Sequence, residues 1–185
     1  MVDRVRPRGG LAVAAALVLV AGPGCLSAAP IRQTRGPEAA FIYGFFDVSG
    51  KKGAELGCVG IVQDERVGGS LRQGCMATLP DGLFWLEDAP PVRHHLPVFH
   101  VGDTSNSMAK FKEPFPVKEG ELHLYGIYRY EVVSNPLLGN ATFALEPTSR
   151  PSHADVLRML LAQENVSERW KQRIRAKLKE LGGKS

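Results

Sequence analysis

The chain is poor in cysteine, with three in 185 residues: Cys25, Cys58 and Cys75. No CxxC pair and no cysteine–histidine spacing of a zinc site occurs, which excludes the common structural zinc folds. No stretch has the roughly 20 consecutive apolar residues that carry a helix across a bilayer. The run Leu11–Ala21 is about half that length, and no later segment approaches it. Neither charge sign dominates, with 23 basic against 19 acidic side chains, so the basic stripe of a nucleic-acid binder is missing. No GxSxG elbow marks a nucleophile among Ser70, Ser105 and Ser107. Gly68-Gly69 is too short to cradle a phosphate and opens no helix. The adjacent carboxylates Asp64-Glu65 and Glu87-Asp88 point to opposite faces if they lie on strands, which argues against an acid–base dyad in either pair. No catalytic residue is therefore assigned, and no cofactor is expected.

What is present begins at Leu11–Cys25, LAVAAALVLVAGPGC, preceded by Arg4, Arg6 and Arg8. A basic start, a short apolar run and a small-residue zone describe an export signal that is removed. Gly22, Pro23 and Gly24 break any helix and leave an extended substrate for a peptidase. The stretch resembles a bacterial lipoprotein signal peptide. That resemblance implies residues 1–24 as signal and Cys25 as the lipid-modified first residue of the mature chain. Two or more palmitate-type acyl chains on it would hold the protein stably in a membrane. The alternative is plain secretion with cleavage near Ala28 or Ala29.

Without residues 1–24 the chain has 161 residues, enough for one domain with its own core. It carries 20 basic and 18 acidic residues. Residues 151–185 hold eight basic and four acidic side chains, so the basic excess is at the C-terminus. Two readings apply there: contact with anionic headgroups, or a solvated helix face. With Cys25 taken by lipid, Cys58 and Cys75 form an even pair in an oxidising compartment. They are either bonded to each other or two buried thiols.

Residues 25–40, with Pro30 and Pro37, read as the lipidated cysteine and a flexible tether. Residues 41–149 then show short strand-like runs separated by turn signals. FIYGFFDV (41–48) is expected to be buried on both faces, followed by strands over 57–64, 71–79 and 83–87. Residues 92–102 and 108–117 read as edges because they contain prolines, and 102–107 as a loop. ELHLYGIYRYEVV (121–133) alternates best, and 141–146 closes the series. This predicts an antiparallel β-sandwich of about six to eight strands.

The period changes after residue 150. Ser152 and Asp155 form a capping-box pattern, and Val156, Leu157, Leu160 and Leu161 make one stripe. Trp170, Ile174, Leu178 and Leu181 make another, on a helix expected to start at Asn165 and to stop at Gly182-Gly183. A C-terminal helical hairpin over 150–185 should pack on the sheet; a partner-binding helix is the other reading.

DGLFWLEDAPPVRHHLPVF (81–99) resembles an element of the carboxypeptidase-regulatory or transthyretin-like domains of exported bacterial proteins. Asp81, Gly82, Phe84, Pro90, Pro91 and Leu96 match, while Val92 and His94 stand where glycine and tyrosine are usual. The match covers about one tenth of the chain and implies a non-catalytic module. The layout also resembles small bacterial envelope lipoproteins. Three function classes follow. The first is a non-catalytic, lipid-anchored envelope module that binds a protein or glycan partner, using Trp85, Tyr128 or Tyr130 if they are exposed, or acts structurally. The second is an exported hydrolase with an unmarked site. The third is a periplasmic metal binder built on His94, His95 and His100, in which His94 and His100 share a strand face and Glu87 or Asp103 assists. The alternative for the histidines is an exposed edge strand.

Overall fold

The computed structural model describes residues 29–67, 70–108, 113–134 and 142–183. Cys25 and the apolar N-terminal run lie outside these residues. The strands are Ala40–Asp47 (β1), Leu56–Val67 (β2), Ser70–Cys75 (β3), Ala77–Thr78 (β4), Leu83–Ala89 (β5), Arg93–His95 (β6), Val98–Val101 (β7), Thr104–Ser107 (β8), Phe115–Pro116 (β9), Leu122–Ser134 (β10) and Thr142–Pro147 (β11). Two helices follow, His153–Leu161 (α1) and Glu168–Gly182 (α2). One sheet runs β11-β10-β1-β5-β4, and the second runs β8-β7-β2-β6-β9 with β3 also paired to β2. The protein is mainly β, a sandwich with a C-terminal helical hairpin.

β1 explains the layering. Ala40, Ile42, Phe46 and Val48 point between the sheets, where they meet Val59, Ile61, Phe84 and Phe99. Ala39, Phe41, Tyr43 and Phe45 point the other way, into a second core with Leu83, Trp85 and both helices. A strand buried on both faces needs a continuous apolar run, which is what FIYGFF supplies. Each buried large side chain contributes roughly 1.5–3 kcal/mol, so this strand anchors both cores. Gly44 keeps the inner face open: a Cβ there would lie 2.4 Å from the Phe84 ring. Gly82, at φ 113°, lets the turn before β5 close against the Phe46 carbonyl.

Several expectations are corrected. The sheets are not wholly antiparallel, because β1 pairs with β10 in parallel, Phe41 opposite Leu122. Parallel neighbours need a long connection, and the chain between them builds the whole second sheet as well as β4 and β5 of the first. The strand expected over 71–79 breaks at Met76: β3 pairs with β2 and β4 with β5, so the chain changes sheets there. Residues 102–107, expected as a loop, contain β8, which forms a hairpin with β7. In α1, Ser152 accepts from the Asp155 amide and the box closes as expected. α2 starts at Glu168 after an N-cap at Ser167, not at Asn165. Its stripe packs on the sheet through Trp170 and Ile174. No helix among the described residues is long and apolar enough to cross a membrane.

The described part of the expected tether does not leave the domain. Ala29 makes a parallel bridge to Arg72, and Ala39 and Ala40 are fully buried. Low apolar content led to the tether reading, whereas backbone hydrogen bonds hold the segment down.

Candidate functional site

Three places concentrate polar side chains. The first is the seam where residues 29–34 cross from β3 to β5. The Gln73 amide donates to the Ala29 carbonyl at 3.0 Å, and Arg72 Nη1 to the Pro30 carbonyl at 2.9 Å. Gln63, fully buried on β2, treats Arg32 as a strand neighbour would. Its Oε1 accepts from the Arg32 amide at 2.9 Å, and its Nε2 donates to the Arg32 carbonyl at 2.8 Å. Ile31 fills the space over Gly74, and the Thr34 amide donates to the Asp88 carbonyl at 2.7 Å. Glu65 sits between two arginines, 3.0 Å from Arg32 and 3.6 Å from Arg72, the latter an ionic contact too long for a hydrogen bond. Cys58 and Cys75 are joined by a disulfide with Cα atoms 5.4 Å apart; it links β2 to the end of β3.

Beside the seam is an open depression of about 380 Å³, lined by Gln33, Cys75, Glu87, Asp88 and Asn165 among others. Asp88 has a left-handed backbone, φ 58°. That conformation breaks strand alternation, and both carboxylates of the Glu87-Asp88 pair reach toward α2. Glu87 accepts from the Ser167 amide at 2.9 Å, and Asp88 Oδ1 from Trp170 Nε1 at 2.8 Å and from Arg169. Negative charge at a helix N-terminus is favourable, so both groups fasten the helix.

The second place is the β6–β9 end. His94 is fully buried, its Nδ1 2.9 Å from the Val92 carbonyl, and its Nε2 has no hydrogen-bond partner. Burial pushes it down to about 4, against a smaller opposing effect of the Val92 hydrogen bond. Phe115 stacks between His94 and His123, with centroids at 6.0 and 4.9 Å, and His123 Nδ1 lies 3.2 Å from Glu121. His100 is elsewhere. His94 pairs opposite Gln63, while His100 lies against Gly57. Six residues along β2 separate those contacts, about 20 Å at strand rise. Sharing a strand face is not convergence, and the expected His94–His100 metal pair is not assembled. Among the described residues no three His, Cys, Asp or Glu side chains are placed to hold a metal.

The third place is the outer face of the first sheet, which the helices cover. Trp85 is 2 % exposed beneath them, and Tyr130 is 2 % exposed inside the sandwich, its hydroxyl donating to Asn106 at 3.2 Å. Tyr128 is half-buried near Phe46. Of the aromatic binding surface expected from Trp85, Tyr128 and Tyr130, Trp85 and Tyr130 are therefore core and Tyr128 packs half-buried against it; alternation alone could not reveal a second layer over that face. Tyr43 Oη lies 2.6 Å from His153 Nε2, which ties α1 to β1. Burial raises the Tyr43 pKa, and burial followed by Lys177 lowers that of His153. The basic face of α2 is largely engaged within the chain. Arg169 pairs with Asp88, Arg173 reaches the Gly120 carbonyl and covers the Trp170 ring, Arg175 pairs with Glu168 and Lys177 with Glu180.

Sequence reading missed the seam residues Gln63, Arg72 and Gly74. The one available signal was a glutamine following the apolar run GCVGIV. No protein-family model, no curated protein and no solved structure matches the chain.

Proposed function

We propose that this protein is an exported module, anchored at the bacterial cell envelope by lipid on Cys25, that binds an envelope protein or glycan or acts structurally, without catalysis. The observation that carries this reading is the cysteine pairing. Cys58 and Cys75 are bonded to each other, which suits an oxidising compartment outside the cytosol. The odd cysteine of the three is Cys25, directly after the small-residue zone that ends the apolar run. An unpaired cysteine in an exported protein calls for another use, and lipid is the use that position fits.

Intact mass of the protein purified from membranes, beside Cys25→Ser, tests this. The expected result is a mature chain starting at Cys25 with added acyl mass, and a variant that lacks that mass and leaves the membrane fraction. A chain starting after Cys25 with no lipid overturns the proposal and makes the protein a secreted soluble domain.

A further inference from the structure

We infer that the β2–β3 hairpin is held against the phospholipid headgroup surface, because the seam over residues 29–34 shortens the membrane tether to almost nothing; this rests on the lipidation of Cys25 proposed above. Three residues separate Cys25 from Ala29. Four Cα–Cα steps span at most about 15 Å however the chain runs. Ala29 is already bridged to Arg72 on β3, with its carbonyl bonded to the Gln73 amide. A free segment over residues 26–40 would have allowed a reach of about 20 Å root-mean-square and about 50 Å at full extension. Gln63 and Ile31 remove that freedom by fixing the next residues to β2 and β3. With acyl chains in the hydrocarbon, the Arg72 end of β3 lies within or just above the headgroup layer.

The charges there are mixed. Arg32, Arg66 and Arg72 stand on this part of the chain with Asp64 and Glu65, and Glu65 contacts both Arg32 and Arg72. A net of one positive charge supplies little attraction to an anionic surface. Tether length, not charge, therefore sets the contact, and salt should not release it.

The test is amide hydrogen exchange on full-length acylated protein in phosphatidylethanolamine–phosphatidylglycerol vesicles. It is compared with Cys25→Ser mixed with the same vesicles, and with an acylated variant carrying twenty Gly/Ser residues inserted between Leu26 and Ser27. The inference expects several-fold slower exchange at Arg66, Leu71 and Arg72 in the acylated native chain alone, unchanged in high salt. Equal exchange in the native and long-linker chains, both with acyl mass confirmed, overturns the inference and leaves the anchor standing. Slowing in Cys25→Ser that high salt abolishes also overturns it, since charge would then suffice. Absence of acyl mass on Cys25 overturns both readings at once.

Discussion

The two ends of the described chain both lie on the sandwich, and they are held by opposite means. Residues 29–34 bury only part of one apolar side chain, Ile31, and depend on hydrogen bonds to Gln63, Gln73, Arg72 and Asp88. The C-terminal helices bury Val156, Leu157, Leu160, Val166, Trp170 and Ile174 against Phe41, Tyr43 and Trp85. A net hydrogen bond is worth roughly 0.5–1.5 kcal/mol, whereas each buried large side chain is worth roughly 1.5–3 kcal/mol. The helices should therefore unfold with the core, while the N-terminal segment should open locally at much lower cost.

The largest effect expected is from Trp170→Ala. It removes a fully buried ring in contact with Phe41 and the indole donor to Asp88. A loss of about 3–5 kcal/mol should appear in urea unfolding, with the transition remaining single. A loss below about 1 kcal/mol would mean the helical end does not depend on its apolar stripe, and the contrast between the ends would collapse.

Acid acts on the strand to which the N-terminal segment is fastened, since His94 pairs opposite Gln63. Phe115, His123, His95 and the Val92 carbonyl face or influence its ring. Its folded pKa lies near 4 against an ordinary 6.5. Above 6.5 the group is neutral in both states and its stabilisation is complete. Between 6.5 and 4 only the unfolded chain takes the proton, so stability falls by about 3 kcal/mol in all and then levels off. His94→Phe keeps a ring without the titration. The difference between its pH–stability curve and that of the native chain should show this window; parallel curves would sink the assignment.

The same contrast explains what was legible in the sequence. Apolar periodicity announced the helices and the doubly buried β1, because burial leaves a pattern that can be read. The pairing of β1 with β10 and the change of sheet at Met76 leave none, since both depend on where distant strands arrive. The fastened N-terminal segment was invisible for another reason: main-chain donors and acceptors are present in every sequence. The supposed ligand surface failed similarly. Trp85 and Tyr130 alternate as outward residues would, and only the helix layer and the second sheet decide that both are covered.

Gln63→Ala sharpens the comparison from the weaker side. It deletes both bonds to Arg32 and should cost about 1–3 kcal/mol. The amides of Arg32 and Gln73 should exchange faster, while those of α1 and α2 remain unchanged. Equal acceleration at both ends would show that the N-terminal segment unfolds with the core.

Gly74→Ala should have the smallest effect on global stability and is the cleanest on the seam. A Cβ at residue 74 would lie 2.7 Å from Ile31 Cδ1 and 2.9 Å from its Cγ1. Alanine in place of glycine restricts the unfolded chain and stabilises by about 0.4–1 kcal/mol where nothing is displaced. Here the displaced atoms belong to one side chain that can rotate, so gain and loss should offset to within about 0.5 kcal/mol in urea unfolding. Exchange at Gln73 should nevertheless quicken, because Ile31 supplies the apolar packing of the segment. A large global loss would mean that Ile31 cannot yield, and that the N-terminal segment belongs to the core as firmly as the helices do.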